Sequence, residues 1–464
     1  MKTDKLRINN GEDMFTKILQ TNSKILAIIL TIFLLVSAIS FYLHLPERQP
    51  LLNNPGFSYS DIVYGLYNPI FLNIVSPNGL INDAAISERW FDRGTALRLV
   101  YSRLCPLPYK DYKFEYPPIV AVFWYASTCL SIMLVFPESY SPIEYYELAK
   151  KAGELHYYVQ SLILVISFIV TAIYMYKLTK VLDVSWKRVI MFALLPSTIM
   201  YLIYNWDIIM AMFVIMSLYY LNSKKYFLSS VLLGLSISTK LITIIYTILL
   251  LYDLIQRVLK DNKYLDVMKL FGLGLATSCL LPYVMVLTLS YEGFTYFIQH
   301  HAQWYCENCL YLLITRDIWS PYNRSLAMIF VFLAILILMS VNLDYSNPLK
   351  LSNLLLTSII SATVLNYVFS PQMMILISSI AVLTLSLRHM IFLVAADVLN
   401  FGIMTLFFKD AETRAWVAQN LGFSVQVHFS PWTLDSPVQM LASIRNVILL
   451  LILIDTIYLL LKSE

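Results

Sequence analysis

What most constrains this 464-residue chain is a recurrence of apolar stretches close to twenty residues long, the length a helix needs to cross ~30 Å of hydrocarbon. Thirteen such segments stand out, near 24–44, 118–136, 156–176, 188–205, 207–222, 226–239, 241–256, 268–290, 326–343, 351–368, 371–387, 389–408 and 438–461. Only helices and closed barrels satisfy their backbone in lipid, and no alternating ten-residue pattern suggests a barrel. The expected class is therefore an all-α integral membrane protein. Composition agrees, because 59% hydrophobic and 13% charged residues, with a mean hydropathy of +0.68, cannot coat a soluble globule. The formal charge of +4 is spread along the chain and offers no basic face for nucleic acid.

Basic residues orient the helices, since Lys and Arg in short loops stay on the cytoplasmic side. They cluster at Lys177, Lys180, Lys187 and Arg188, at Lys224 and Lys225, and at Arg257, Lys260, Lys263 and Lys269. The polar, basic stretch 1–23 runs straight into the first apolar segment without a small-residue cleavage site, so it reads as a retained cytoplasmic signal anchor. If 118–136 crossed the bilayer, the first cluster would fall outside. That segment is therefore expected to be interfacial or half-embedded within one external region, 45–155. Twelve spanning helices remain, with both termini cytoplasmic. The external face then holds 45–155, Asn205–Asp207, the turn near Lys240, 291–325, 369–371 and 409–437. The cytoplasmic loops are short and carry no Gly-rich phosphate cradle, so chemistry is expected outside and without a nucleotide.

Within the first external region, Asp61 follows Phe57-Ser-Tyr-Ser just beyond the first helix. A carboxylate at the bilayer surface can take the proton of an attacking hydroxyl, and the same residues also suit a helix N-cap. Asp83, Glu88 and Asp92 are alternative acids in the same region, and they fit a solvated amphipathic face better. Glu115 precedes Tyr116-Pro117-Pro118, whose prolines set an extended entry and a helix start. Asp207 opens an apolar segment, where it favours the helix dipole. Lys240 ends another, where a buried ammonium costs about 2.5–3.5 kcal/mol unless partnered. Its partner would be a lipid phosphate, Asp207 or the headgroup layer. Arg316, Arg324, His300 and His301 are further cationic or polar candidates, while Trp304, Tyr305 and Glu307 form an aromatic, acidic stretch suited to a sugar or to an interfacial belt. Gln372 sits in the turn Ser370-Pro371-Gln372. Cys306-x-x-Cys309 fits a disulfide, unpaired thiols or half a metal site.

The succession Tyr116-Pro117-Pro118, Tyr204-Asn205-Trp206-Asp207, Lys224-Lys225, the small-residue helix from Phe227 through Gly234 to Lys240, His300 to Glu307, and Ser370-Pro371-Gln372 resembles polyprenyl-phosphate-dependent GT-C glycosyltransferases, particularly their archaeal and bacterial mannosyltransferase-like branches. The resemblance covers roughly 24–390. It implies a GT-C-like bundle of about twelve transmembrane helices with a long first external loop containing interfacial helices. The region 24–408 would be catalytic, followed by an external loop and a last transmembrane helix over 409–464. It further implies an extracytoplasmic active site in the cell membrane that moves a hexose, most plausibly mannose, from a polyprenyl or dolichyl phosphate to a glycan or lipid acceptor by inverting displacement. In that site Asp61, Glu115 and Asp207 are the catalytic candidates. Lys240, Arg316, Arg324, His300 and His301 would meet the donor phosphate, and Trp304, Tyr305, Glu307 and Gln372 the sugar or acceptor. Many relatives carry paired acids in the first loop, whereas Asp61 stands alone. No metal ligand is assigned, and a divalent cation stays open as the one cofactor to consider.

Two other classes compete. A secondary transporter or lipid flippase would need internal repeats and matching broken helices, which the sequence does not display. A non-catalytic subunit derived from such an enzyme is compatible with the solitary Asp61.

Overall fold

The structure, a computed structural model, describes residues 22–422 and 424–462, so the segment 1–23 lies almost wholly outside the described residues. Among these, every regular element is helical, and strand-like pairing is limited to isolated bridges. In chain order, α1 (Ser23–Leu43) leads into α2 (Asp61–Leu72), α3 (Asp83–Arg89), α4 (Arg93–Tyr101), α5 (Pro118–Val135) and α6 (Pro142–Val181). Next come α7 (Lys187–Leu194), α8 (Pro196–Tyr201), α9 (Asp207–Asn222), α10 (Tyr226–Thr239), α11 (Ile244–Lys260), α12 (Asn262–Leu289) and α13 (Tyr291–Gln303). The chain ends with α14 (Pro321–Met339), α15 (Pro348–Val364), α16 (Pro371–Thr384), α17 (Leu387–Phe407), α18 (Asp410–Leu421) and α19 (Pro437–Lys462). Among the described residues, eight helices are long and apolar enough to cross a membrane, and four shorter ones, α9, α10, α15 and α16, are apolar. The chain is thus an all-α protein of multi-pass membrane character.

Two expected boundaries differ, each for a local reason. Segment 188–205 is not one helix: Leu195 is extended (φ −62°, ψ 134°) ahead of Pro196, so the chain breaks into α7 and α8. Segment 156–176 is only part of α6, whose 40 residues begin at a capping box between Ser141 and Glu144 with Pro142 in the first turn. At 1.5 Å per residue α6 is about 60 Å long, roughly twice the hydrocarbon thickness. Its second half is apolar and packs on α1, with the Phe33 and Phe168 rings 4.2 Å apart. Its first half carries Glu144, Glu147, Lys150, Lys151 and Glu154.

Helix α5 runs antiparallel along that charged half. Gln160 Nε2 donates to Phe123 O (3.1 Å), Thr128 Oγ1 lies 3.2 Å from His156 Nδ1, and the Phe136 and Tyr145 rings are 5.7 Å apart. A Cys105–Cys129 disulfide fastens the preceding loop to α5.

Helices α15 and α16 are buried along almost their whole lengths and form the centre, with α9 beside them. By contrast α12 and α14 turn Leu270, Leu273, Phe332 and Leu333 outward, an apolar exterior that suits lipid. Close approach of α10 to α12 depends on small residues. A Cβ on Gly234 would collide with Ser278 Oγ, and one on Gly274 with Ser230 Oγ. This packing fixes the end of α10, where Lys240 emerges.

Candidate active site

One cavity of about 990 Å³ opens at the end of the bundle where α1 finishes, and it draws its walls from remote parts of the chain. Asp61, Glu115, Lys240, His300, His301, Trp304, Tyr305, Glu307 and Gln372 all line it. The two segments on which a common centre depends, Tyr59 to Asp61 and Ser370 to Gln372, therefore face the same space. Asp207, Arg316 and Arg324 do not line it. Arg316 is exposed at a left-handed helix end (φ 57°), and Arg324 donates to Gln303 O at 3.1 Å.

Asp61 begins α2, a helix wound with five-residue hydrogen bonds such as Gly65 N to Ser60 O (3.2 Å). The N-cap is Ser60, whose hydroxyl accepts from Val63 N at 3.5 Å, so the Asp61 carboxylate is not consumed by capping. Its backbone N–H donates to Tyr204 O (3.0 Å), and its Oδ2 accepts from Asn205 Nδ2 (2.7 Å) and, more weakly, Tyr116 OH (3.5 Å). A Cβ on Gly65 would stand 3.1 Å from Asp61 Oδ1, so glycine leaves that oxygen room. Burial pushes the Asp61 carboxyl up to about 7; the Asn205 hydrogen bond opposes this, Glu307 and Glu115 reinforce it, and Lys240 opposes it. An acid poised near neutrality can hold or release a proton at physiological pH.

The tetrapeptide Tyr204 to Asp207 holds this wall together. Besides the two contacts to Asp61, Trp206 Nε1 donates to Gln160 Oε1 (2.9 Å), and Asp207, 1% exposed, takes both of its hydrogen bonds from Lys240 Nζ (2.8 and 3.0 Å). Asp207 is thus the structural partner of Lys240 behind the wall, while Lys240 still reaches the cavity. Across from Asp61, Glu115 lies 3.8 Å from Arg89 Nη1 and 3.7 Å from His300 Nε2. Burial raises the Glu115 carboxyl, with Arg89 acting against it, and burial takes His300 down to about 4, helped by Arg89. His300 is therefore neutral at pH 7, which makes it a hydrogen-bonding group and not a phosphate-neutralising cation.

The third wall is the loop after α13. Cys306 and Cys309 are joined by a disulfide and buried, while the two residues between them, Glu307 and Asn308, face the cavity. That settles the three readings of this motif in favour of the disulfide. Trp304 Nε1 donates to Glu307 Oε2 at 2.9 Å, and the Trp304 and Tyr305 rings stack 5.0 Å apart. Glu307 N donates to Tyr367 O (3.0 Å) and Phe369 N to Glu307 O (2.9 Å), which ties this loop to the strand-like entry of α16.

Several lining residues lie outside the sequence candidates: Arg89, Tyr116, Asn205, Asn308, Trp432 and Gln439; Glu88, an alternative acid from the sequence, lines the cavity as well. Asn205 belongs to the Asn-Trp-Asp motif, in which the neighbouring Asp207 carries the more obvious chemical signal. Trp432 and Gln439 show that 409–464 completes the same cavity as 24–408. No group of three or more His, Cys, Asp or Glu among the described residues is arranged to hold a metal ion. No protein-family model matches the chain, and no curated protein does. Function has to be read from the cavity itself.

Proposed function

We propose that the protein is a membrane glycosyltransferase that moves a hexose, most plausibly mannose, from a polyprenyl or dolichyl phosphate to an external glycan or lipid acceptor. The observation that carries this reading is the Asp61 carboxylate, free of capping duty, poised near neutrality and open to a cavity of ligand size; small-molecule sites run to about 300–1,000 Å³. Trp304, Tyr305 and Trp432 supply surfaces for a sugar, and Leu241, Ile244, Met328 and Val331 give one flank the apolar character that an isoprenoid chain needs. In the reaction the acceptor O–H gives its proton to Asp61 while its oxygen bonds to the anomeric carbon. The bond from that carbon to the phosphate oxygen breaks, and polyprenyl phosphate leaves with the electron pair. Lys240 and Arg89 are the cations placed to receive that anion. One base suffices for a direct displacement, which inverts the anomeric centre.

The membrane topology belongs to the same reading. All three basic clusters follow helices that lead away from the cavity, namely α6, α9 and α11, so a cytoplasmic basic end leaves the cavity extracytoplasmic. Helix α5, lying along the charged half of α6, is then an external element and not a span, which preserves the parity of twelve crossings.

Purified protein supplied with a labelled polyprenyl-phosphate hexose tests the proposal. Transfer by the native chain should fall by about 10²–10⁴-fold in Asp61→Asn. Full transfer in that variant would remove Asp61 as the base. Carrier movement without bond cleavage would replace the enzyme with a flippase, and neither transfer nor movement would favour a non-catalytic subunit.

A further inference from the structure

Helix α19 buries an arginine, Arg445, with 0% exposure and no carboxylate in ion-pairing range among the described residues. Every acceptor it meets is neutral. Nη1 donates to Asn400 Oδ1 (2.6 Å), Nε to Asn446 Oδ1 (3.0 Å), and Nη2 to Phe369 O (3.2 Å) and, at the limit of a hydrogen bond, Asn308 O (3.5 Å). The guanidinium also stacks on the Phe369 ring, 3.7 Å from its centroid. Burying a cation against neutral groups is costly, and an apolar side chain of similar size would serve packing as well or better. The placement therefore asks for a reason beyond filling space.

The contacts supply one. A guanidinium is a donor only, so it dictates how the two amides beside it face. With Asn400 Oδ1 turned to Arg445, Asn400 Nδ2 donates to Pro371 O at 2.8 Å. With Asn446 Oδ1 turned the same way, Asn446 Nδ2 donates to Asn308 O at 2.7 Å. Directly or through these amides, one side chain grips the carbonyls of Asn308, Phe369 and Pro371. Those carbonyls belong to the two segments that present Glu307 and Gln372 to the cavity. Asn308 itself has φ at 51°, the left-handed region that asparagine adopts more readily than most non-glycine residues.

We propose that Arg445 is the positioning residue that locks the Glu307–Asn308 and Phe369–Gln372 segments against each other, so that Glu307 and Gln372 meet the sugar or acceptor at a fixed spacing. It touches no ligand. Its consequence for transfer rests on the glycosyltransferase reading, whereas its mechanical role does not.

Hydrogen exchange separates the two. In the full-length protein, Arg445→Gln should speed exchange at the Glu307 and Phe369 amides by about tenfold or more, as expected when a charged donor to a buried carbonyl is lost. Exchange along α9 and along α16 from Met374 onward should stay as in the native chain. Arg445→Lys keeps the charge without the planar fork and should loosen the same two segments to a smaller extent. Asn446→Leu, which leaves the cation in place, should loosen the Asn308 segment alone, and it decides the matter if Arg445→Gln does not fold. Native exchange at both segments in the variants, or acceleration spread evenly over all helices, overturns the proposal. In transfer assays Arg445→Gln should raise the acceptor KM at least about tenfold with the pH profile unmoved; an unchanged KM alongside loosened segments would remove the link to the site. Failure of the native chain to transfer any hexose would instead remove the glycosyltransferase reading and leave the exchange result standing.

Discussion

Two clusters of charge in this protein are built on opposite plans. In the segment after α17, Arg414 is wholly buried and fully matched. Its Nε donates to Asp410 Oδ2 (2.9 Å), Nη1 to Asp435 Oδ2 (2.6 Å), and Nη2 to Thr433 Oγ1 (2.7 Å) and Ser430 O (2.9 Å). Asp410 also accepts from Ser436 Oγ (2.6 Å) and Ser430 N (2.8 Å). In the cavity, Asp61 and Glu307 have no ion-pair partner among the described residues, Glu115 has only the long 3.8 Å contact to Arg89, and the nearest strong pair, Lys240 with Asp207, is closed on itself. Matched charges hold a shape. Mismatched ones keep a carboxyl near its protonation point, where it can do chemistry, at a standing cost in stability.

The sharpest way to break the contrast is at the matched cluster. Arg414→Met leaves Asp410 buried without its cation and should cost about 3–5 kcal/mol, the range for removing one partner of a buried pair. Thermal unfolding in detergent measures the loss, and transfer per folded molecule should change far less than in Asp61→Asn. An unfolding temperature close to that of the native chain would mean that the network is ornamental.

Next in size is the closed pair at the cavity wall. Lys240→Ala strands Asp207 behind the wall, so the variant should lose about 3 kcal/mol as well as affinity for the lipid donor. The double variant Lys240→Met with Asp207→Asn removes the stranded charge. It should recover most of the stability without recovering donor affinity. Recovery of both would make Lys240 purely structural, and recovery of neither would mean that the wall depends on the ion pair itself.

The sequence made the helical class and most of the cavity legible, and the gaps have physical causes. Hydropathy locates where a helix meets lipid, not where it begins, so it does not register the charged first half of α6, which starts at a capping box. Pro196 announces a break, but the apolar residues on both sides read as one span. Asp61, Glu115, Glu307 and Gln372 stood out because isolated polar residues near a bilayer surface are few. Arg445 did not, since a single charge inside an apolar helix reveals nothing of the three carbonyls it will grip. The choice for Lys240 between a phosphate and Asp207 is three-dimensional, and only the 2.8 Å contact resolves the resting partner.

The smallest expected effect is a displacement along the pH axis, and it tests the mismatch directly. If Asp61 is the base, it must be ionised to act, so transfer should climb as pH rises through about 7 and then level off. His300, neutral well above its value of about 4, adds no limb in that range. The same raised carboxyl means that the folded state holds a proton which the unfolded chain has already released, so stability should decline as pH rises from about 4 towards 7. Asp61→Asn should flatten this decline. Asn205→Ala removes the 2.7 Å hydrogen bond that favours the ionised form and should carry the activity limb upward by about one pH unit. Were the limb to stay in place in Asn205→Ala, another group would be setting it, and the poised acid at the centre of this cavity would have to be sought at Glu115, whose carboxyl burial also raises.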